Sequence, residues 1–122
     1  MKLYGVGVGP GDPELVTLKA HRVLTSVPLL FVPVRRVGAP SYAATIAASY
    51  LANPRQRVVE LAYPMTKDAA AADAAAQRNA GAIAAELRTA GSGAFLTEGD
   101  PLLYSTFLHT FAALRSAHPE VE

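Results

Sequence analysis

The sequence predicts an α/β domain in which a mostly parallel sheet carries helices on both faces. Short apolar runs of strand length alternate along the 122 residues with longer segments whose apolar residues recur at helical spacing. Two Gly-Asp-Pro triplets, at residues 11–13 and 99–101, each mark a change from a strand-like run to a helix-like one. Because parallel strands end at one edge of a sheet, and open α/β sheets bind ligands at that edge, both loops are predicted to lie there.

The candidate strands are four apolar runs, at residues 3–8, 29–34, 58–62 and 94–97. A helix is predicted after each of them. In the first helix, Asp12 is the predicted N-cap and Pro13 lies in the first turn. Its predicted apolar face comprises Val16, Ala20, Val23, Leu24 and Val27. The other predicted helices span residues 42–51, about 68–90 with Gly91 as the stop, and a stretch that starts after residue 101 and fades near 118–119.

Composition and charge exclude several classes of protein. The formal net charge is +1, too small to predict broad attraction to nucleic acid or to an anionic membrane. The chain has no cysteine, which excludes disulfides, thiolate metal ligands and a cysteine nucleophile. Its three histidines are widely separated, and no apolar run approaches the roughly 20 residues that cross a bilayer. We therefore expect one cytoplasmic domain over residues 1–122, with a small-molecule partner, no metal, and neither nucleic acid nor membrane as partner.

The glycine-rich stretch at residues 5–11 departs from the common nucleotide motifs. It contains Gly7-x-Gly9, but Asp12 stands where a dinucleotide fingerprint has its third glycine, and the acidic ribose ligand expected about 20 residues later is missing. A phosphate-binding P-loop needs Gly-Lys-Ser/Thr, whereas an aspartate there repels phosphate. These loops suit a ligand that is cationic or zwitterionic, such as a sulfonium methyl donor. A preference for ATP or NADP would instead indicate another kind of nucleotide-binding module.

Four ordered segments carry a family resemblance. Residues 3–15 read Leu-Tyr-Gly-Val-Gly-Val-Gly-Pro-Gly-Asp-Pro-Glu-Leu, and residues 95–107 read Phe-Leu-Thr-Glu-Gly-Asp-Pro-Leu-Leu-Tyr-Ser-Thr-Phe. Both resemble the tetrapyrrole methylases, which transfer methyl groups from S-adenosylmethionine during corrin and sirohaem synthesis. The Tyr-Ser-Thr ending, with residues 31–34 and 63–68, is similar to the precorrin-2 C20-methyltransferase branch. The resemblance covers nearly the whole chain and implies the N-terminal domain of that fold.

The resemblance implies S-adenosylmethionine-dependent methyl transfer to C20 of precorrin-2 in cobalamin biosynthesis. The residues implied to bind the donor are Pro10, Glu98, Gly99, Asp100 and Leu103, with Tyr104, Ser105 and Thr106 as second choices. Because such macrocycles carry many carboxylates, Arg35 and Arg36, just beyond the second strand, are candidate clamps for the substrate. No catalytic residue is assigned, since the nucleophile belongs to the macrocycle and no general base is carried over.

Structural roles compete with these functional ones. Asp12 and Asp100 can each cap the helix that follows. Arg35 and Arg36 can be solvated charges at a strand end. Tyr63 is expected to be a half-buried anchor.

Family members are about twice as long as this chain and carry a second α/β domain that completes the donor pocket. Two alternatives therefore stay open: a methylase for the cobalt-containing form of the macrocycle, and a noncatalytic half that needs the missing domain to bind the donor. Residues 119–122 read as the approach to another strand, so we expect the protein, or its family's usual form, to continue. The resemblance also implies a homodimer for the full-length form.

Overall fold

The computed structural model of this chain describes residues 1–8, 16–36, 38, 42–49, 55–64, 68–97 and 106–122. The strands are β1 Lys2–Gly7, β2 Leu29–Val34, β3 Arg57–Ala62 and β4 Ser92–Thr97. The helices are α1 Leu18–Ser26, α2 Tyr42–Ser49, α3 Ala69–Ala90 and α4 Thr106–Ala117. The strands form one four-stranded sheet in the order β1-β4-β2-β3, and every neighbouring pair is parallel. The predicted parallel α/β architecture is confirmed, with each strand within two residues of its predicted limits.

Local signals account for the ends of α3. The Asp68 side chain accepts a hydrogen bond from the Ala70 amide at 3.0 Å, which caps the first turn. Gly91 follows the last turn with φ 87°, in the left-handed region that glycine enters without strain. Both ends agree with the prediction from sequence.

The start of α1 differs from the prediction. Its N-cap is Thr17, whose hydroxyl oxygen accepts a hydrogen bond from the Ala20 amide at 3.1 Å, so a helix that begins at Asp12 is wrong for α1. Asp12 and Pro13 themselves lie outside the described residues. A threonine hydroxyl caps a helix in the same way as an aspartate, but the sequence analysis considered only Asp12.

Two apolar clusters cover the two faces of the sheet. On one face, α1 and α2 contribute Ala20, Leu24 and Ile46, which pack with strand residues that include Leu30, Val32 and Leu96. On the other face, α3 and α4 contribute Ile83, Leu87, Ala113 and Leu114, which pack with Leu29, Phe31 and Phe95. Burial on both faces explains why β2 and β4 are almost continuously apolar rather than alternating.

The last residue of the chain lies on the outer edge of β1. The Glu122 amide donates to the Met1 carbonyl at 3.0 Å, and the Glu122 carbonyl accepts from the Leu3 amide at 2.8 Å. This is the hydrogen-bond pattern of a parallel neighbour, which agrees with the strand approach predicted for residues 119–122. Further along the same edge, a groove of about 350 Å³ separates residues 4–7 from α1.

Candidate functional site

The strands that lead into the two Gly-Asp-Pro loops end side by side. β1 and β4 are parallel neighbours, and the register places Gly7 opposite Thr97. The Val8 amide donates to the Thr97 carbonyl at 2.8 Å, so the pairing continues to the end of both strands. Adjacent strands lie about 4.8 Å apart. The chain therefore leaves the sheet at two neighbouring points of one edge, as predicted for a shared ligand site.

Most of the predicted donor-binding residues lie outside the described part of the chain. They are Pro10, Glu98, Gly99, Asp100, Leu103, Tyr104 and Ser105. Thr106 begins α4, but its side chain also falls outside the description. For these residues, the structure gives the positions of β1 and β4 before the loops and of α4 after the second loop.

Thr97 is a polar residue at this edge that the sequence reasoning did not single out. Its side chain is 4% exposed, and its hydroxyl oxygen has no hydrogen-bond partner among the described residues. Leaving a buried hydroxyl unpaired costs about 1–3 kcal/mol. The available signal in the sequence was a single polar residue at the end of an otherwise apolar run.

The surroundings of Thr97 follow from the register of the sheet. Successive strand residues point to opposite faces, so Thr97 shares the face of Phe95, which packs against α3 and α4. Its partner across the ladder, Gly7, has no side chain. Thr97 therefore lies on the sheet face covered by α3 and α4, opposite a residue that has no side chain.

Arg35 and Arg36 lie where they were predicted, directly after β2 at the carboxyl edge of the sheet, and both are exposed. The turn that follows is held by β3, because the Glu60 carboxylate accepts a hydrogen bond from the Gly38 amide at 2.7 Å. Gly38 has φ 86°, a conformation that favours glycine. Glu60 therefore restrains the segment that carries the two arginines.

A buried polar cluster holds α3 and α4 against the ends of the strands. The Tyr63 hydroxyl and the Thr110 hydroxyl are 2.6 Å apart, and the Asn79 side-chain amide donates to the Ala62 carbonyl at 2.8 Å. The Tyr63 ring meets the Phe95 ring edge-on at 6.3 Å between centroids. Burial raises the pKa of Tyr63 to about 12, so the phenol stays neutral and acts as a hydrogen-bonding anchor. The expected half-buried anchoring role of Tyr63 agrees with this geometry.

The described residues contain no group of three histidine, cysteine, aspartate or glutamate side chains placed to hold a metal ion. None of their helices combines the length and apolarity needed to span a bilayer.

The chain is similar to known proteins along its whole length. The family model for Tetrapyrrole (Corrin/Porphyrin) Methylases matches residues 2–122. A Methanocaldococcus jannaschii protein named "Probable cobalt-precorrin-2 C(20)-methyltransferase" is 40% identical over 121 residues, which cover 99% of this chain and 50% of that protein. A precorrin-2 C(20)-methyltransferase from a Sinorhizobium species is 32% identical over 126 residues, with 97% of this chain and 51% of that protein covered.

A solved structure has the same fold. The uroporphyrin-III C-methyltransferase of Thermus thermophilus, crystallised with S-adenosylhomocysteine, superposes with a TM-score of 0.63 at 22% identity over 100% of this chain and 43% of that one. The chain thus spans about half the length of the curated relatives it matches. From the match over residues 2–122 and the arrangement of the sheet, the chain belongs to the tetrapyrrole methylase family.

Proposed function

We propose that residues 1–122 form the N-terminal α/β domain of an S-adenosylmethionine-dependent methyltransferase that acts on C20 of precorrin-2 in cobalamin biosynthesis. The observation that carries the proposal is the adjacency of β1 and β4, because the strands that lead into the two Gly-Asp-Pro loops end side by side. The names of the curated relatives support the reaction and the substrate class. A second domain in the full-length form would close the cleft, and a cytoplasmic homodimer is proposed for that form.

Two described residues lie at the edge where we propose that the methyl donor binds. Gly7 and Thr97 are opposite each other at the ends of β1 and β4, and the Thr97 hydroxyl is a buried polar group without a described partner. Such a group is expected where a polar ligand completes the hydrogen bonding. We propose that Pro10 contacts the donor from the first loop. From the second loop, the donor would be lined by Glu98, Gly99, Asp100 and Leu103, with Tyr104, Ser105 and Thr106 as second choices.

The proposed catalytic contribution of the protein is alignment. The donor supplies an electrophilic methyl group on a sulfonium, and C20 of the macrocycle supplies the electron pair for an in-line displacement. The two loops hold and orient the donor while the rest of the site excludes water. Holding two reactants in line is worth about 7–11 kcal/mol of barrier. No side chain of this domain is proposed as a general base.

We propose that Arg35 and Arg36 bind carboxylates of the macrocycle. Both guanidinium groups are exposed at the same edge as the proposed donor site. Guanidinium and carboxylate groups form strong paired hydrogen bonds. The contact between Glu60 and the Gly38 amide would hold this basic segment in place for the substrate.

Two alternative functions are tested together with the proposed one. The cobalt-containing form of the macrocycle is a second candidate substrate, favoured by the name of the relative that is 40% identical. A noncatalytic half that needs a second domain is kept as an alternative, because the chain matches about half the length of each relative.

Calorimetric titration of the chain tests the donor site. S-adenosylhomocysteine is expected to bind at micromolar concentration, while ATP and NADP do not bind. Asp100→Asn is expected to weaken binding, and Asp73→Asn, the same charge change at an exposed position on α3, is the matched control that leaves it unchanged. A preference for ATP or NADP would support another nucleotide-binding module. Absence of all binding would support the noncatalytic half.

A further inference from the structure

We propose that Arg78 is a third residue that binds carboxylates of the macrocyclic substrate, beside Arg35 and Arg36 at the carboxyl edge of β2 and β3. The inference rests on the proposed function. It adds a substrate-binding residue from α3, a helix to which the sequence analysis assigned no binding residue. All three arginines are exposed and lie in the described part of the chain.

The peptide group between Ala62 and Tyr63, at the end of β3, places Arg78 close to the segment that carries the other two arginines. The Tyr63 amide donates to the Val34 carbonyl at 2.7 Å, and Arg35 is the next residue after Val34. On the other side of the same peptide group, the Ala62 carbonyl accepts a hydrogen bond from the Arg78 guanidinium at 3.4 Å. The Arg78 Nη2 atom is therefore within about 8 Å of the Val34 carbonyl oxygen.

The charge of Arg78 also lies near the Tyr63 phenol. Burial raises the pKa of Tyr63 to about 12, and the positive charge of Arg78 partly opposes this shift. The phenol stays neutral, and its hydroxyl lies 2.6 Å from that of Thr110. Tyr63 therefore supplies no negative charge that would neutralise the guanidinium.

Arg78 has no carboxylate partner among the described residues, in contrast to two other arginines of the chain. Arg57 pairs with Glu86. Arg88 pairs with Glu120 at 3.2 Å. On α3, the positions three and four residues away from Arg78 hold only alanine and glycine, so no acidic side chain stands at the spacing of a helical ion pair.

Glu60 is an acidic residue close to the same edge, but it lies on the other face of the sheet. Leu61 packs in the cluster with α3 and α4, so the preceding residue points to the opposite face. The Glu60 carboxylate accepts the hydrogen bond from the Gly38 amide at 2.7 Å. The three arginines thus form a cationic edge without a carboxylate partner in the described part of the chain, and a ligand with several carboxylates would neutralise it.

A purely structural role for Arg78 at the Ala62 carbonyl is a weaker explanation. The Asn79 amide already donates to this carbonyl at 2.8 Å, whereas the Arg78 contact of 3.4 Å is long for a hydrogen bond. A guanidinium has five N–H donors in a planar fork that matches a carboxylate. The exposed Arg78 side chain therefore keeps donors available for a ligand at this edge.

The test is an absorbance titration of the chain with uroporphyrin III, a stable macrocycle that carries carboxylate side chains. Arg78→Gln removes the charge and is expected to bind the macrocycle about fivefold more weakly than the wild type. Arg35→Gln is expected to show a loss of similar size. Arg78→Lys keeps the charge without the paired hydrogen bonds, so its affinity should lie between those of the wild type and R78Q.

Arg22→Gln is the matched control, because it makes the same charge change at an exposed position of α1, on the opposite face of the sheet. It is expected to leave the affinity for uroporphyrin III unchanged. R78Q is expected to keep the Tm of the wild type, since Asn79 still donates to the Ala62 carbonyl. Equal losses of affinity in R22Q and R78Q would show that only net charge matters and would overturn the inference. A lowered Tm in R78Q, with a loss of affinity that R78K shares in full, would indicate a structural role and would also overturn it.

The same titrations separate the inference from the proposed function. Wild-type affinity in R78Q, together with a loss in R35Q, would overturn the inference alone. Wild-type affinity in both variants would reject both arginines as substrate-binding residues. Failure of the wild type to bind uroporphyrin III would reject the proposed substrate site in this chain and the inference with it.

Discussion

Replacement of Gly93 by alanine is expected to destabilise the domain through a steric conflict between β4 and β2. A Cβ atom at this position would lie 2.7 Å from Cε2 of Phe31, 3.2 Å from Cβ of Leu29 and 3.3 Å from the Leu29 carbonyl oxygen. The Phe31 ring is 0% exposed and Leu29 is 2% exposed, so neither side chain can move into solvent. The register also pairs Gly93 with Leu3 of β1, and a shift of β4 would therefore disturb both of its neighbours.

The size of the effect follows from overpacking. Inserting a methyl group into a packed core costs typically about 1–3 kcal/mol. The closest contact is with a ring edge, and the contact with the Leu29 carbonyl involves backbone, so a small rotation of one side chain does not relieve both. For a domain of this size the loss corresponds to a Tm lower by roughly 4 to 12 °C.

Gly81→Ala is a control for which the expected change in stability has the opposite sign. It lies inside α3, and a Cβ atom there would have nothing within 4 Å. Gly81→Ala should stabilise the domain by about 0.5–1 kcal/mol, because alanine has the higher helix propensity. Urea and thermal unfolding of both variants give the comparison. Equal stabilities for Gly93→Ala and the wild type would refute the packing argument, and a destabilised Gly81→Ala would refute the propensity argument.

Two further predictions concern the polar contacts near the site. The pKa of Tyr63 is about 12 in the folded protein, against about 10 for a tyrosine in the unfolded chain. The neutral phenol therefore stabilises the folded state fully below about pH 10, and this stabilisation is lost as the pH rises through the pKa of the folded protein. Urea titrations between pH 9 and pH 12 should show that the free energy of unfolding of the wild type falls by about 2 kcal/mol more than that of Tyr63→Phe. If the free energies of unfolding of the two proteins change in parallel with pH, a raised pKa for Tyr63 is contradicted. Glu60→Ala removes the acceptor for the Gly38 amide, whereas Glu60→Gln retains one. If Arg35 and Arg36 bind the proposed macrocyclic substrate, only Glu60→Ala should weaken that binding several-fold, with the affinity for the proposed donor unchanged. Absorbance titration of the macrocycle checks this, and equal losses in the two variants would contradict a positioning role.

Local features of the sequence were sufficient for much of the fold. The apolar runs predicted the four strands found among the described residues, because fully buried parallel strands need continuous apolar residues. Asp68 and Gly91 predicted the limits of α3, since capping depends on residues within one turn of the helix end. The same local reasoning failed at the start of α1, where the sequence predicted Asp12 as the N-cap and the structure has Thr17 in that role.

The candidate site was predictable in outline. The glycine and aspartate loops suggested a shared edge, which required β1 and β4 to be neighbours, and the sheet order confirms that they are. The exposed placement of Arg35 and Arg36 at the end of β2 also agrees with the sequence. The residues implied by family resemblance in the two loops remain predictions, to be tested through ligand binding.

The sequence by itself determined which segments are strands and helices, where α3 ends, and which family the chain resembles, because these depend on neighbouring residues and on motifs read in order. Only the tertiary structure decided the strand order, the unpaired burial of Thr97, the bond between Tyr63 and Thr110, and the need for glycine at position 93. Each of these features depends on contacts between segments that are far apart in the sequence and become neighbours only when the sheet packs between its two helical layers. Local propensity does not predict such contacts, because it depends only on residues that are close in the sequence.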